Sequence, residues 1–147
     1  MSTIQRSALV HYSPAEMYAL VNDVSDYPHF LPWCRSSRVI DANDAEMTAS
    51  IEIAMGVLNR SFTTHNKLDP PQRIELSLVD GPFRKLHGVW QFDALKTENA
   101  CKVSLHLVFE FDNSMMSLAA RPVFTRIANS LVDAFCKRAV EVYGERS

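Results

Sequence analysis

The residues best suited to chemistry in this chain are its five histidines and three cysteines. His29 precedes Cys34 by five residues, a spacing that could bring an imidazole beside a thiol. A cysteine nucleophile also needs an orienting group and an oxyanion site, and no residue pattern supplies them. No HExxH, GxSxG, GxGxxG or Walker motif occurs. The sequence therefore favours a protein that is not an enzyme, and the scattered histidines and acidic residues predict no metal site.

The composition argues against several other functional classes. The 15 basic and 17 acidic residues give a net charge of −2, so no overall positive field favours DNA binding. Three cysteines without a CxxC pair favour reduced thiols in a cytoplasmic protein. No apolar run could span a bilayer and no signal-peptide pattern is present, so we expect at most peripheral membrane contact. We expect residues 1–147 to form a single domain with a sizeable core.

The segment DGPFRK at residues 80–85 is a candidate for partner recognition. Its Gly-Pro pair predicts a tight turn that leaves Phe83 exposed between a carboxylate and two cations. A phenylalanine beside an arginine is a plausible contact pair, and nearby cations could form a local basic patch for RNA phosphates. The alternative interpretation is a plain hairpin turn. The predicted partner-binding residues are Arg35, Arg38, Phe83, Arg84 and Lys85.

The elements that would position these residues are mostly strands. Apolar and polar residues alternate with a period of two through most of residues 37–111, interrupted by turn residues. With a first strand over residues 4–12, the pattern predicts an antiparallel sheet of about six to seven strands. Ser13 and Glu16 predict the capping box of a short helix, and a second short helical turn is expected over residues 24–27.

Residues 114–143 carry the only long helical pattern. Its N-cap candidates are Asn113 and Ser114, and Pro122 predicts a kink or a restart. The curved sheet is expected to wrap this helix in a two-layer α+β fold. Apolar residues recur at helical spacing at Ala120, Phe124, Ile127, Leu131, Phe135 and Val142.

A curled sheet and one helix rarely close without a gap. The side chains predicted to meet here are apolar, apart from a few polar groups such as Thr64 and Asn66. Such a gap has the composition of a pocket for a lipid-like ligand, unless the aromatic rings fill it. Residues 27–34, with two prolines, are expected either to plug one end of the core or to form the lip of the pocket. The predicted cavity residues are Tyr27, Phe30, Leu31, Trp33, Ile53, Met55, Phe62, Leu76, Leu78, Trp90, Phe92, Leu107, Phe109, Phe124, Ile127 and Leu131.

Three stretches resemble the START-like, or helix-grip, family: SALV at residues 7–10, VNDV with YPHFLP at residues 21–32, and LVDGPFRKL at residues 78–86. Within that family they are similar to the branch of RatA-type ribosome association toxins and mitochondrial coenzyme Q-binding proteins. The resemblance covers residues 3–143 and implies a strand, two short helices, six strands and a long helix. Pro122 departs from the family pattern, in which the last helix is continuous.

The resemblance implies a non-enzymatic protein with one of two roles. The main expectation is binding of ubiquinone or a similar isoprenoid lipid between the sheet and the C-terminal helix, in support of respiration, with no cofactor required. The alternative is a RatA-type toxin that binds the large ribosomal subunit and inhibits subunit association. Polyketide cyclases share the fold, but the predicted cavity lacks an acid–base pair, and fold alone does not carry function.

Overall fold

The computed structural model describes residues 1–97, 99–113 and 115–146, without the side chains of residues 115–117. None of the helices in these ranges is long and apolar enough to cross a membrane. The elements follow the predicted order. They are β1 (Ser2–Val10), α1 (Pro14–Asn22), a 3-10 helix (Val24–His29), β2 (Cys34–Ala42), β3 (Glu46–Met55), β4 (Leu58–Asp69), β5 (Arg73–Asp80), β6 (Phe83–Ala94), β7 (Cys101–Phe111) and α2 (Met115–Tyr143).

All seven strands form one antiparallel sheet in the order β1-β7-β6-β5-β4-β3-β2. Strands β2 to β7 form a meander, because each pairs with the next strand along the chain. Strand β1 pairs with β7 and places Ile4 opposite Leu107. The predicted α+β fold with a curved antiparallel sheet and a long C-terminal helix is confirmed.

Helix α2 packs on the inward face of the sheet through a stripe of buried residues from Ala120 to Ala139. The helix continues through Pro122, so the predicted restart is wrong. Pro122 and Leu118 are exposed, and the Leu118 carbonyl that loses its helical donor can bond to water. Val142 is 48% exposed, so the stripe does not extend to it as predicted. The N-cap candidate Ser114 lies outside the described residues.

The predicted capping box of α1 is present and is tied to the C-terminal residues. The Glu16 N–H donates to Ser13 Oγ at 3.1 Å, and the Ser13 N–H donates to Glu16 Oε1 at 2.9 Å. Arg146 donates to both Glu16 carboxylate oxygens, at 2.8 and 2.9 Å. The hydrogen bond from Arg146 is the main reason that the pKa of Glu16 is lowered to about 2. This carboxylate therefore holds α1 and the end of the chain together.

Glu16→Gln should make the stability of the protein less dependent on pH. The pKa of Glu16 falls from 4.5 to about 2 on folding, so its ionised form stabilises the protein above pH 4.5. That contribution is lost as the pH falls towards 2. Thermal midpoints measured across this range should show the largest difference between the two proteins near neutral pH and little difference near pH 2. Glu145→Gln, at an exposed position, is the control. If acidification lowered the thermal midpoints of the wild type and of Glu16→Gln by the same amount, the assignment of this pH dependence to Glu16 would be contradicted.

Candidate functional site

A hollow of about 90 Å³ lies between the inward face of the sheet and α2. Strands β3 to β7 form its floor, and α2 and the end of α1 cover it. Most of the predicted cavity residues line it. They are Tyr27, Trp33, Ile53, Phe62, Leu76, Trp90, Leu107, Phe124, Ile127 and Leu131.

The structure places the other predicted cavity residues elsewhere, and for them the prediction is wrong. Phe92 and Phe109 are fully buried against other rings, 5.7 Å from Tyr18 and 4.8 Å from Phe124 respectively, measured between ring centroids. Met55 and Leu78 lie near strand ends and are only partly buried. Phe30 and Leu31 line a groove on the outer surface, between residues 29–33 and α2.

Part of the lining comes from α1 and from small residues that the sequence pattern did not indicate. Val21, Asn22 and Val24 face the hollow from the end of α1 and the 3-10 helix. Ala49 and Ala128 also line it, and their short side chains leave the space open. The available signal was an alanine at an inward strand position and another on the buried stripe of the long helix.

Two groups of aromatic rings border the hollow and keep it from closing. In the first, Phe124 contacts the rings of Phe62, Phe83, Phe109 and Phe111 at centroid distances of 4.8–6.3 Å. In the second, Phe135 contacts Tyr27, Phe30 and Trp90 at 5.3–5.5 Å. Phe124 and Phe135 are three helical turns apart, about 16 Å along α2. The hollow occupies the space between these two packed groups.

Residues 27–34 close one end of the hollow. Tyr27 and Trp33 face the hollow, and Trp33 also borders the outer groove. Arg138 of α2 holds this segment, since its guanidinium lies 5.0 Å from the centre of the Phe30 ring and 3.2 Å from Asp26 Oδ2. The Tyr27 hydroxyl donates to the Val21 carbonyl, and burial raises the pKa of Tyr27, so it remains protonated. Trp33 therefore separates the hollow from the outer groove.

A small polar wall interrupts the apolar lining. Thr64 and Asn66 are 7% and 5% exposed, and the Thr64 hydroxyl donates to Asn66 Oδ1 at 2.8 Å. Across the described residues, the buried Asn22 Oδ1 has no hydrogen-bond partner. A buried polar atom without a partner is costly, so this site favours an occupant that can donate a hydrogen bond.

The side chains around the hollow offer binding groups rather than acid–base or nucleophilic groups. In the described lining there is no carboxylate, imidazole or thiol. Cys34 and His29, which the sequence placed close together, have different partners. The Cys34 thiol donates to the Ser36 carbonyl and burial raises its pKa to about 11, while His29 Nδ1 lies 2.8 Å from Asp26 Oδ1 at the surface.

The predicted exposure of Phe83 is wrong. Phe83 is 7% exposed, because a β-bulge between Phe83 and Lys85 turns its side chain to the inward face. The predicted basic patch is also divided. Arg35 and Arg38 lie on β2, and Arg84 and Lys85 lie on β6, four strands away, which is about 19 Å measured along the curved sheet. Arg35 and Arg84 each lie beside a carboxylate, Glu52 at 4.0 Å and Glu110 at 3.9 Å.

Residues 10–136 match the sequence family described as polyketide cyclase / dehydrase and lipid transport. The chain is 49% identical to the ribosome association toxin RatA of Pseudomonas aeruginosa, over 98% of this chain and 100% of that protein. It is 27% identical to the mitochondrial coenzyme Q-binding protein COQ10 homolog B of Xenopus laevis, over 95% of this chain and 59% of that protein.

Solved structures match the fold at low sequence identity. A START superfamily protein from Mycobacterium smegmatis superposes with a TM-score of 0.77 at 14% identity, over 95% of this chain and 98% of that one. The Zhui aromatase/cyclase from Streptomyces superposes with a TM-score of 0.81 at 13% identity, over 99% of both chains. The helix-grip architecture expected from the sequence is therefore confirmed.

Filling the hollow should stabilise the protein. Ala49→Leu replaces a methyl group that lines the hollow by an isobutyl group, and we expect the free energy of unfolding to rise by about 1–2 kcal/mol. The matched control is Ala139→Leu, which enlarges a fully buried alanine of α2 that does not line the hollow. This control should lose about 1–3 kcal/mol through overpacking. Urea unfolding measures the free energy of unfolding of both variants. If both variants lost the same stability, the presence of usable space at Ala49 would be contradicted.

Proposed function

This chain belongs to the polyketide cyclase / dehydrase and lipid transport family, and we propose that it acts as a ribosome association toxin of the RatA type. In this role it binds the large ribosomal subunit in the cytoplasm and inhibits the association of the subunits. The observation that carries the proposal is the 49% identity to RatA across the full length of that relative. The more distant coenzyme Q-binding relative is matched over only part of its length.

The size of the hollow also supports a role at the protein surface. Pockets that enclose small ligands typically have volumes of about 300–1,000 Å³, and this hollow has about 90 Å³. The sequence predicts lipid binding as the main role, and the small hollow together with the identity to RatA supports giving ribosome binding the first place. The absence of carboxylate, imidazole and thiol groups from its described lining supports binding without catalysis, although cyclases share the family.

The protein should co-sediment with purified large ribosomal subunits, and more weakly with small subunits. Contacts to ribosomal RNA phosphates release counterions, so the bound fraction should fall as the salt concentration rises. In sucrose gradients at fixed magnesium concentration, added protein should shift ribosomes from the associated to the free-subunit fractions. Equal binding to both subunits, or an unchanged gradient profile at saturating protein, would count against the proposed role.

A second candidate function is the binding of a prenylated quinone or similar isoprenoid lipid in the hollow. The observation that favours it is the apolar lining with a polar wall, in which Asn22 Oδ1 lacks a donor and the Thr64–Asn66 pair is buried. Burial contributes about 0.8 kcal/mol for each methylene, so one five-carbon isoprene unit contributes roughly 3–4 kcal/mol before ordering costs. A ligand of this kind would have to enlarge the hollow, and Trp33 lies in the wall between the hollow and the outer groove.

Titration with a short-chain ubiquinone tests this second function. Trp33 and Trp90 both line the hollow, so a bound quinone should quench their fluorescence in a saturable manner. Ala49→Leu should lower the affinity for the quinone at least about tenfold, because the leucine side chain occupies the space that the ligand needs. The Ala139→Leu variant is the control for altered packing elsewhere. Lack of saturation in the wild type, or equal affinity in wild type and Ala49→Leu, would exclude the hollow as the quinone site.

A further inference from the structure

The N-terminal half of α2 lacks acidic residues. From Asn113 to Val132 the sequence contains two arginines, Arg121 and Arg126, and neither Asp nor Glu. The nearest carboxylates along the chain are Asp112 before this stretch and Asp133 after it. Both arginines are exposed, and within the described part of the chain neither forms an ion pair.

Strand β1 adds a third arginine to this surface. Arg6 is exposed, and its Nε–H donates to Asn129 Oδ1 of α2 at 3.1 Å. This hydrogen bond holds Arg6 beside Asn129, which lies eight residues, or about 12 Å along the helix axis, from Arg121. Thr125 lies between them on the same side of the helix. We call Arg6, Arg121, Thr125, Arg126 and Asn129 the α2 basic face.

The surroundings of the α2 basic face differ from those of most other arginines in the protein. Arg73 pairs with Glu75 at 3.1 Å, and Arg146 pairs with Glu16 at 2.8 Å. Arg138 lies between Asp26 and Glu141, 3.2 Å from each. A carboxylate beside a cation reduces its attraction for a phosphate, so the α2 basic face is a better anion-binding surface than these paired arginines.

We propose that the α2 basic face is the surface that contacts RNA phosphates, an inference that rests on the proposed binding to the large ribosomal subunit. A guanidinium group recognises phosphate oxygens through paired N–H donors. The Asn129 side-chain amide adds a neutral donor beside the cations. The Thr125 hydroxyl donates to the Arg121 carbonyl at 2.8 Å and so offers a phosphate no donor. The exposed Leu118 also lies on this side of the helix. A single leucine is a small anchor for a lipid interface, which takes a face of several large apolar side chains.

The test compares two double variants with the same change in net charge. Arg121→Glu/Arg126→Glu reverses the α2 basic face, and Arg35→Glu/Arg84→Glu reverses two exposed arginines that lie beside carboxylates. Each is measured against large ribosomal subunits, protein-free ribosomal RNA and anionic phospholipid vesicles. Circular dichroism and thermal unfolding establish that both variants are folded. If Arg121→Glu/Arg126→Glu does not fold, the single variants Arg121→Gln and Arg126→Gln replace it, and if the control does not fold, Arg35→Gln and Arg84→Gln replace that variant.

Arg121→Glu/Arg126→Glu should weaken binding to subunits and to RNA by about tenfold or more, and should reduce the salt slope by about 2. Arg35→Glu/Arg84→Glu should have a much smaller effect. The inference would be overturned if both variants lost binding equally, if the Arg35/Arg84 variant lost more, or if neither lost any. Binding of the wild type to vesicles alone would also overturn it. If the wild type binds protein-free RNA through the α2 basic face but does not bind subunits, the inference stands and the proposed function fails. If the wild type binds neither, both fail.

Discussion

The packing of α2 on the inward face of the sheet is the interaction on which the rest of the structure depends. A sheet with one apolar face and a helix with one apolar stripe each need the other to exclude water. Phe124 and Phe135 are the main contacts, since each packs edge to face against rings from the sheet or from residues 27–30. The Arg138–Asp26 and Arg146–Glu16 pairs then attach the short helical segments to α2 and to the residues that follow it.

The hollow follows from the same packing. Large rings fix the separation of sheet and helix at two points, and the residues between them include the small side chains of Ala49 and Ala128. Small side chains between rigid supports leave space that neighbouring atoms cannot fill without strain. The fold therefore contains a small internal site, while the opposite side of α2 presents polar and charged groups to other molecules. Ligand binding and partner binding would consequently use different faces of one helix.

Much of the fold follows from local patterns in the sequence. Alternation located the strands, Ser13 and Glu16 located α1, and helical spacing located α2 and most of the hollow. Three features depended on tertiary context. The bulge after Phe83 reverses the strand phase and buries a ring that the turn sequence suggested was exposed. The lining from Asn22 and Val24 depends on how α1 packs, and the separation of Arg35 from Arg84 depends on strand order. None of these can be read from spacing along the chain.

The central claim is that the sheet and α2 enclose space between the ring groups of Phe124 and Phe135. A crystal structure determined under xenon pressure tests it most directly, because xenon binds in empty apolar cavities. The account predicts a xenon peak beside Ile127 and Leu131, with the surrounding side chains unchanged. A continuous core with no peak, in which Trp90 or Leu131 occupies that space, would contradict it.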